Sequence, residues 1–327
     1  MQKNPQTDLA TRIAGPLAIL VVAELFLLRL GTRTLIHIPG LEKYETPIRW
    51  LAEVGRFAYF AAVVFLIALL IALTVRRFRR SGPFAVMGAL AALGFLVTAL
   101  AGRLEWIQPG VVGWVGMTAL VMALVGAASR GRRALPLAFF TAGAVAAGWS
   151  ALAQGRGGGL SGGQVDALLI VSEIMVLGFA LTAPLLLARR PSRRAMLVGL
   201  GVAVPTALVA AASSSTVSIL ALWSFGTPGW LPGIAYALAL GAVGMVLWSA
   251  FESGERQMAV GLVLLAAGGV GMISTYQTGL ALAALLVLGD ALQPSRVSSA
   301  HRLHRTSPET SVATQVPAPS SLIRLSM

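Results

Sequence analysis

The apolar run VDALLIVSEIMVLGFALTAPLLLARR (165–190) carries two acids, Asp166 and Glu173, seven positions apart. A helix returns to nearly the same face after seven residues, so the two carboxyls stand on one side, about 10 Å apart along the axis. An ionised carboxyl deep in a bilayer is costly. Such groups face protein or water, pair with a cation, or hold a proton. Glu24, in the first long apolar run, is a third acid of this kind. The sixth run descends from the outer to the inner face and the first ascends, which sets Glu24 and Glu173 at about the same depth, just outside the midplane. Asp166 falls at the outer edge. The three predict an outward-facing polar path that ends at two carboxyls able to bind a proton or a substrate.

A competing chemistry is charge pairing. Arg29, Arg56 and Arg103 lie near the outer ends of the first three runs. Paired with these acids they would serve orientation and assembly alone. Further polar residues fit the lining of a path. Ser150 and Gln154 continue a small-residue stripe from Ala146, Ser172 adjoins Glu173, and Tyr276 and Gln277 stand in STYQT (274–278). The serines of SSSTVS (213–218) read as a solvated helix end, since Ser and Thr suit caps and turns. Asp290 falls near the inner boundary, where solvation is expected.

Several chemistries are excluded. Without cysteine there is neither a disulfide framework nor a thiolate. His37, His301 and His304 lie outside the apolar runs, so no span offers an imidazole to a haem, a metal or a serine nucleophile. The chain has no H-E-x-x-H and no Walker A loop. VLGD (287–290) lacks the first glycine of the Gly-x-Gly-Asp signature of intramembrane aspartyl proteases. No metal and no cofactor is expected, and a non-enzyme is favoured over an enzyme.

The elements that would hold these residues are membrane spans. The 327 residues are 57% hydrophobic and only 11% charged, too few to clothe a soluble domain. Ten apolar runs suggest spans near 13–30, 54–75, 83–102, 111–128, 134–153, 165–188, 195–214, 232–251, 257–274 and 275–292. They are continuous, without the alternation of barrel strands. The expected fold is all-α, a polytopic integral membrane bundle of about ten helices, with nine as the alternative. The stretch 257–292 decides between them, because one helix of that length would be about 50 Å long. A turn at STYQTG (274–279) would make two.

Net charge is +13. The arginines gather in RRFRR (76–80), RGRR (130–133) and RRPSRR (189–194), each after an even-numbered run, a topology signal rather than a nucleic-acid footprint. Both termini are then cytoplasmic and the first run is a retained span of the inner (plasma) membrane. Residues 1–12 form a cytoplasmic segment, 13–292 the transmembrane domain, and 293–327 a disordered tail. The longest outer loop is 31–53, and LWSFGTPGWLPG (222–233) joins two spans at the same face. Similar Trp-to-Pro-Gly joints at 106–120 and 223–238 suggest a repeat of 83–188 by 195–292.

In span number and size, though in no motif, the chain resembles the layout of the drug/metabolite transporters. The leading expectation is a proton-coupled permease for a small solute. A non-catalytic membrane subunit or scaffold comes next, and an enzyme acting on a lipid-linked substrate last. The expected partners are the lipid bilayer and either an unknown small solute or another membrane protein.

Overall fold

In bilayer, a backbone must satisfy its own polar groups, and continuous apolar runs do so as helices. A computed structural model describes residues 6–32, 45–79, 82–128, 131–155, 160–212, 230–269 and 274–292. Among them stand ten α-helices and no strand: α1 (Gln6–Glu24), α2 (Glu45–Phe78), α3 (Pro83–Arg103), α4 (Pro109–Ala128), α5 (Leu135–Gly155), α6 (Gly162–Thr182), α7 (Arg193–Ala212), α8 (Trp230–Glu252), α9 (Arg256–Gly268) and α10 (Thr275–Ala291). α1 continues directly into a π-helical stretch, Leu25–Thr32. The protein is an all-α, multi-pass membrane bundle. Seven of the described helices are long and apolar enough to cross a membrane.

Local chemistry explains the boundaries. Proline opens α3 and α4, where its missing N–H costs nothing. Ser161 and Gln164 form a reciprocal capping box at the start of α6. Ser192 accepts the Ala195 N–H at the start of α7. Gly254, at φ 71°, takes the left-handed conformation that turns α8 into α9.

Eight helices form a closed ring. Each of α1 to α5 packs on the next, α6 packs on α8, α8 on α9, and α9 on α1. α10 lies within, against α2, α3, α4 and α9. Every residue from Tyr276 to Asp290 is buried, as expected of a helix apolar on all sides. α7 flanks α8. There Gly199 and Gly241 bring backbones together: a Cβ on Gly199 would lie 2.9 Å from the Gly241 carbonyl oxygen, and one on Gly241 2.8 Å from that of Gly199. Small residues at such crossings are how helices associate in lipid.

Three details differ from the sequence reading. Residues 45–53 are not loop: they form the first turns of α2, whose 34 residues span about 51 Å. Pro47 is tolerated there because it lies in the first turn. STYQTG is not a turn either. α9 ends at Gly268, with Gly269 at φ 63°, and Ser274 caps α10 by accepting the Gln277 N–H at 3.2 Å. Finally, α9 and α10 hold 13 and 17 residues, about 20 and 25 Å, each short of a hydrocarbon core of about 30 Å. They pair as an antiparallel hairpin, Gly261 against Val287 and Leu288, and Gly268 against Ala281. His37, His301, His304, SSSTVS, most of LWSFGTPGWLPG and the tail lie outside the described residues.

Candidate functional site

Three polar centres emerge. The first is at the arginine-rich end, where α2 and α10 finish. Arg77 Nη2 donates to Asp290 Oδ1 at 3.1 Å and to the Leu286 carbonyl at 2.8 Å. Arg76 Nη1 stands 3.5 Å from Asp290 Oδ2. The side chains of Arg77 and Asp290 are only 6% and 3% exposed. Space for the guanidinium comes from glycines. A Cβ on Gly88 would collide with Arg77 Nη1, and one on Gly126 or Gly289 would lie 3.8 Å from the guanidinium. Asp290 is therefore buried and ion-paired, not solvated. Arg77 was read as part of a topology signal, but it turns inward.

The second centre surrounds Glu24, which is 2% exposed. α1 buries Ala10, Ala14, Leu17 and Val21, spaced alternately by four and three, and Glu24 falls next on that stripe. Opposite, α2 buries Ala62, Leu66, Leu69 and Leu73. The two helices are antiparallel, with the backbone of Gly55 against Leu28. Glu24 precedes Leu28 by about one turn and Tyr59 follows Gly55 by about one turn, so they share a level. The Tyr59 ring meets Tyr276 of α10 edge-on at 4.9 Å. Tyr276 and Gln277 are both buried. Four polar residues from α1, α2 and α10 thus gather at one depth. The α-helix gives way to π-helix immediately after Glu24.

The third centre belongs to α6 and α8. Glu173 is half-buried and Asp166 exposed. Glu173 lies near Tyr236 of α8. Ser172 donates to the Gly143 carbonyl at 3.0 Å, joining α6 to α5. Ser150 is buried in α5. Glu24 and Glu173 lie in different helix neighbourhoods, the first among α1, α2 and α10, the second between α6 and α8. As for the arginines, Arg56 binds Glu53 at 2.8 Å on the exposed start of α2, and Arg103 is exposed at the end of α3. The side chains of Arg29 and Gln154 lie outside the described residues.

A cavity of about 720 Å³ opens at the arginine-rich end. Its walls come from α1, α2, α8, α9 and α10, with Arg76, Arg256, Gln257, Thr11 and Asp290 supplying the polar groups. Gln257 Nε2 donates to Thr11 Oγ1 at 3.1 Å, tying α9 to α1 at this end. Along α1 the lining runs from Ala10 to Val22 and stops two residues short of Glu24. Sequence reasoning did not find this cavity. Its one visible signal was the small-residue face Ala10, Ala14, Gly15 and Ala18 in the first span. Among the described residues no His, Cys, Asp and Glu side chains cluster as a metal site.

Set against known protein families, curated proteins and solved structures, the chain matches none of them.

Proposed function

We propose that the protein is a secondary transporter for a small solute, entered from the arginine-rich face, with Glu24 carrying the coupling proton. The cavity of about 720 Å³ is the observation that supports it most. Small-molecule sites fall in the range of roughly 300–1,000 Å³ and are mostly apolar with a few placed polar groups. α1 joins the two parts of the mechanism. One of its faces lines the cavity and the next turn carries a buried carboxyl. Intramembrane acids mark proton pathways, and π-helical segments recur at functional sites.

One observation favours a second reading, a scaffold subunit. Asp290 is buried and ion-paired, as expected of an acid that serves assembly.

Labelling separates them. The chain has no cysteine, and an added Cβ at Gly15 meets nothing within 4 Å, so Gly15→Cys places a single thiol on the cavity wall. In proteoliposomes, an impermeant maleimide applied at the arginine-rich face should label it. In a carrier, a proton gradient that favours the opposite-facing state slows that labelling, and Glu24→Gln removes the response. Labelling that ignores the gradient in both proteins refutes transport and favours the scaffold.

A further inference from the structure

The cavity is not uniform. Its apolar wall, including Ala18, Ile19, Val22, Val260 and Val263, extends along α1 and α9. Its charged groups, Arg76, Arg256 and Asp290, are confined to the arginine-rich end. There Asp290 is shared between Arg76 and Arg77, and Arg256 lines the cavity beside them, so three guanidiniums stand against one carboxylate. The polar end therefore carries an excess of positive charge. At this end Gln257 and Thr11, hydrogen-bonded to each other, add neutral polar groups to the lining.

The rim faces sideways. Ile19 is 71% and Phe251 65% exposed on the outer surface of the bundle, and both line the cavity. In a membrane these residues meet lipid tails, so the space is a lateral groove. α1 and α8 form its banks, and α9 with the end of α10 its floor. From Thr11 to Val22 the groove runs about 17 Å along α1, more than half of a hydrocarbon core of about 30 Å. An apolar slot parallel to the lipid tails, ending in arginines at the level where headgroups begin, matches one kind of molecule.

We infer that this groove binds a single-chain anionic amphiphile, an acyl chain ending in a carboxylate or phosphate, entering from the leaflet on the arginine-rich side. The chain lies against Ile19, Val22 and Val263, and the anionic head meets Arg256 and Arg76. Arginine suits both head types, since its planar fork pairs bidentately with carboxylate and phosphate alike. A neutral lipid would fill the wall without offering a charge to Arg256. A free inorganic anion would do the reverse. The inference deepens the transporter reading by naming its substrate class, but the groove's chemistry is tested by binding alone.

The test uses the full chain with Gly15→Cys in phosphatidylcholine nanodiscs, and follows alkylation by N-ethylmaleimide. Oleate is the probe. A ligand at ten times its dissociation constant leaves about a tenth of the sites open, so alkylation should slow about ten-fold. Oleyl alcohol and inorganic phosphate should each protect far less. Arg256→Gln, at an exposed position, should lose most of the oleate protection. Gly201→Cys, on the exposed face of α7 with open space around it, should show none. Equal protection by oleyl alcohol would make the site a plain apolar slot and overturn anion recognition, as would undiminished protection in Arg256→Gln. Protection by phosphate alone would make it a free-anion site. Absence of protection, or equal protection at Gly201→Cys, would overturn the groove itself. Oleate protection together with gradient-insensitive labelling would uphold the groove while rejecting transport, so the two failures are distinct.

Discussion

Arg77 and Asp290 are 213 positions apart, yet their side chains meet at 3.1 Å at the ends of α2 and α10, shielded from solvent. Breaking a buried pair by removing one partner strands the other charge, at a cost of about 3–5 kcal/mol. Asp290→Asn should therefore lower thermal stability in detergent markedly, because it leaves Arg77 buried without its carboxylate. Arg77→Gln should cost less, since Arg76 remains 3.5 Å from Asp290. The double variant Arg77→Gln/Asp290→Asn should recover part of the loss. A single Asp290→Asn protein as stable as its parent would contradict the burial of the pair.

The glycines around Arg77 make a separate prediction. Gly88→Ala places a methyl against the guanidinium, and overpacking of this kind costs about 1–3 kcal/mol. Gly94, on the same helix, has open space where its Cβ would stand. Gly94→Ala should leave stability unchanged or slightly raised. Comparing the two denaturation midpoints isolates the contact from the helix propensity of alanine.

How much of this was legible follows from the range of each signal. Continuous apolar runs mark helices because the requirement they meet is local, and all ten appear near their expected places. Boundaries set by short motifs were less clear. Ser274 through Gln277 looked like a turn because the same residue types build turns and caps. Glu24 was legible as an intramembrane acid, and its place on the Ala10–Ala14–Leu17–Val21 stripe was present in the spacing. Tyr59 and Tyr276, which share its level, were not, since they arrive from other helices. Arg77 was hidden for the same reason. Within RRFRR nothing distinguishes the arginine that turns inward from those that face solvent, and the reason it does so, Asp290 with Gly88, Gly126 and Gly289, comes from three other helices.

Glu24 and Glu173 should respond differently to substitution. Gln is nearly isosteric with the protonated acid, so Glu24→Gln should fold and lose proton-coupled movement. Glu24→Leu removes a buried polar group that interacts with its surroundings, and should cost more stability than Glu24→Gln, because a partner left buried and unmatched is penalised. Glu173→Gln should keep its stability, and neutralising Arg56 should not alter that outcome, since Arg56 is bound to Glu53. Thermal melts of the four variants in one detergent would decide. A strong loss in Glu173→Gln that Arg56→Gln rescues would contradict this assignment.

Orientation is open to a direct check on the same cysteine-free background. Arg79→Cys, just past α2, and Gly163→Cys, in the first turn of α6, occupy exposed positions at opposite ends of the bundle. The positive-inside rule places the first in the cytoplasm. In intact cells an impermeant maleimide should label Gly163→Cys and leave Arg79→Cys untouched until the membrane is opened. The reverse pattern would invert the topology.

The central position of α10 bears on how the chain is made. Helices enter the membrane in order of synthesis, and α10 is the last of the ten to leave the ribosome. The ring helices made before it must therefore stand around a vacant centre. The contact that closes the ring, α1 with α9, also joins nearly the first helix made to nearly the last. Assembly cannot finish before α10 has been made. The α9–α10 hairpin has to slip between neighbours already inserted, carrying Asp290 to an arginine that has been present since the second span. Until then Arg77 and its glycine niche stand open, and a nascent chain stalled before residue 256 should be the form most prone to capture by membrane quality-control proteases.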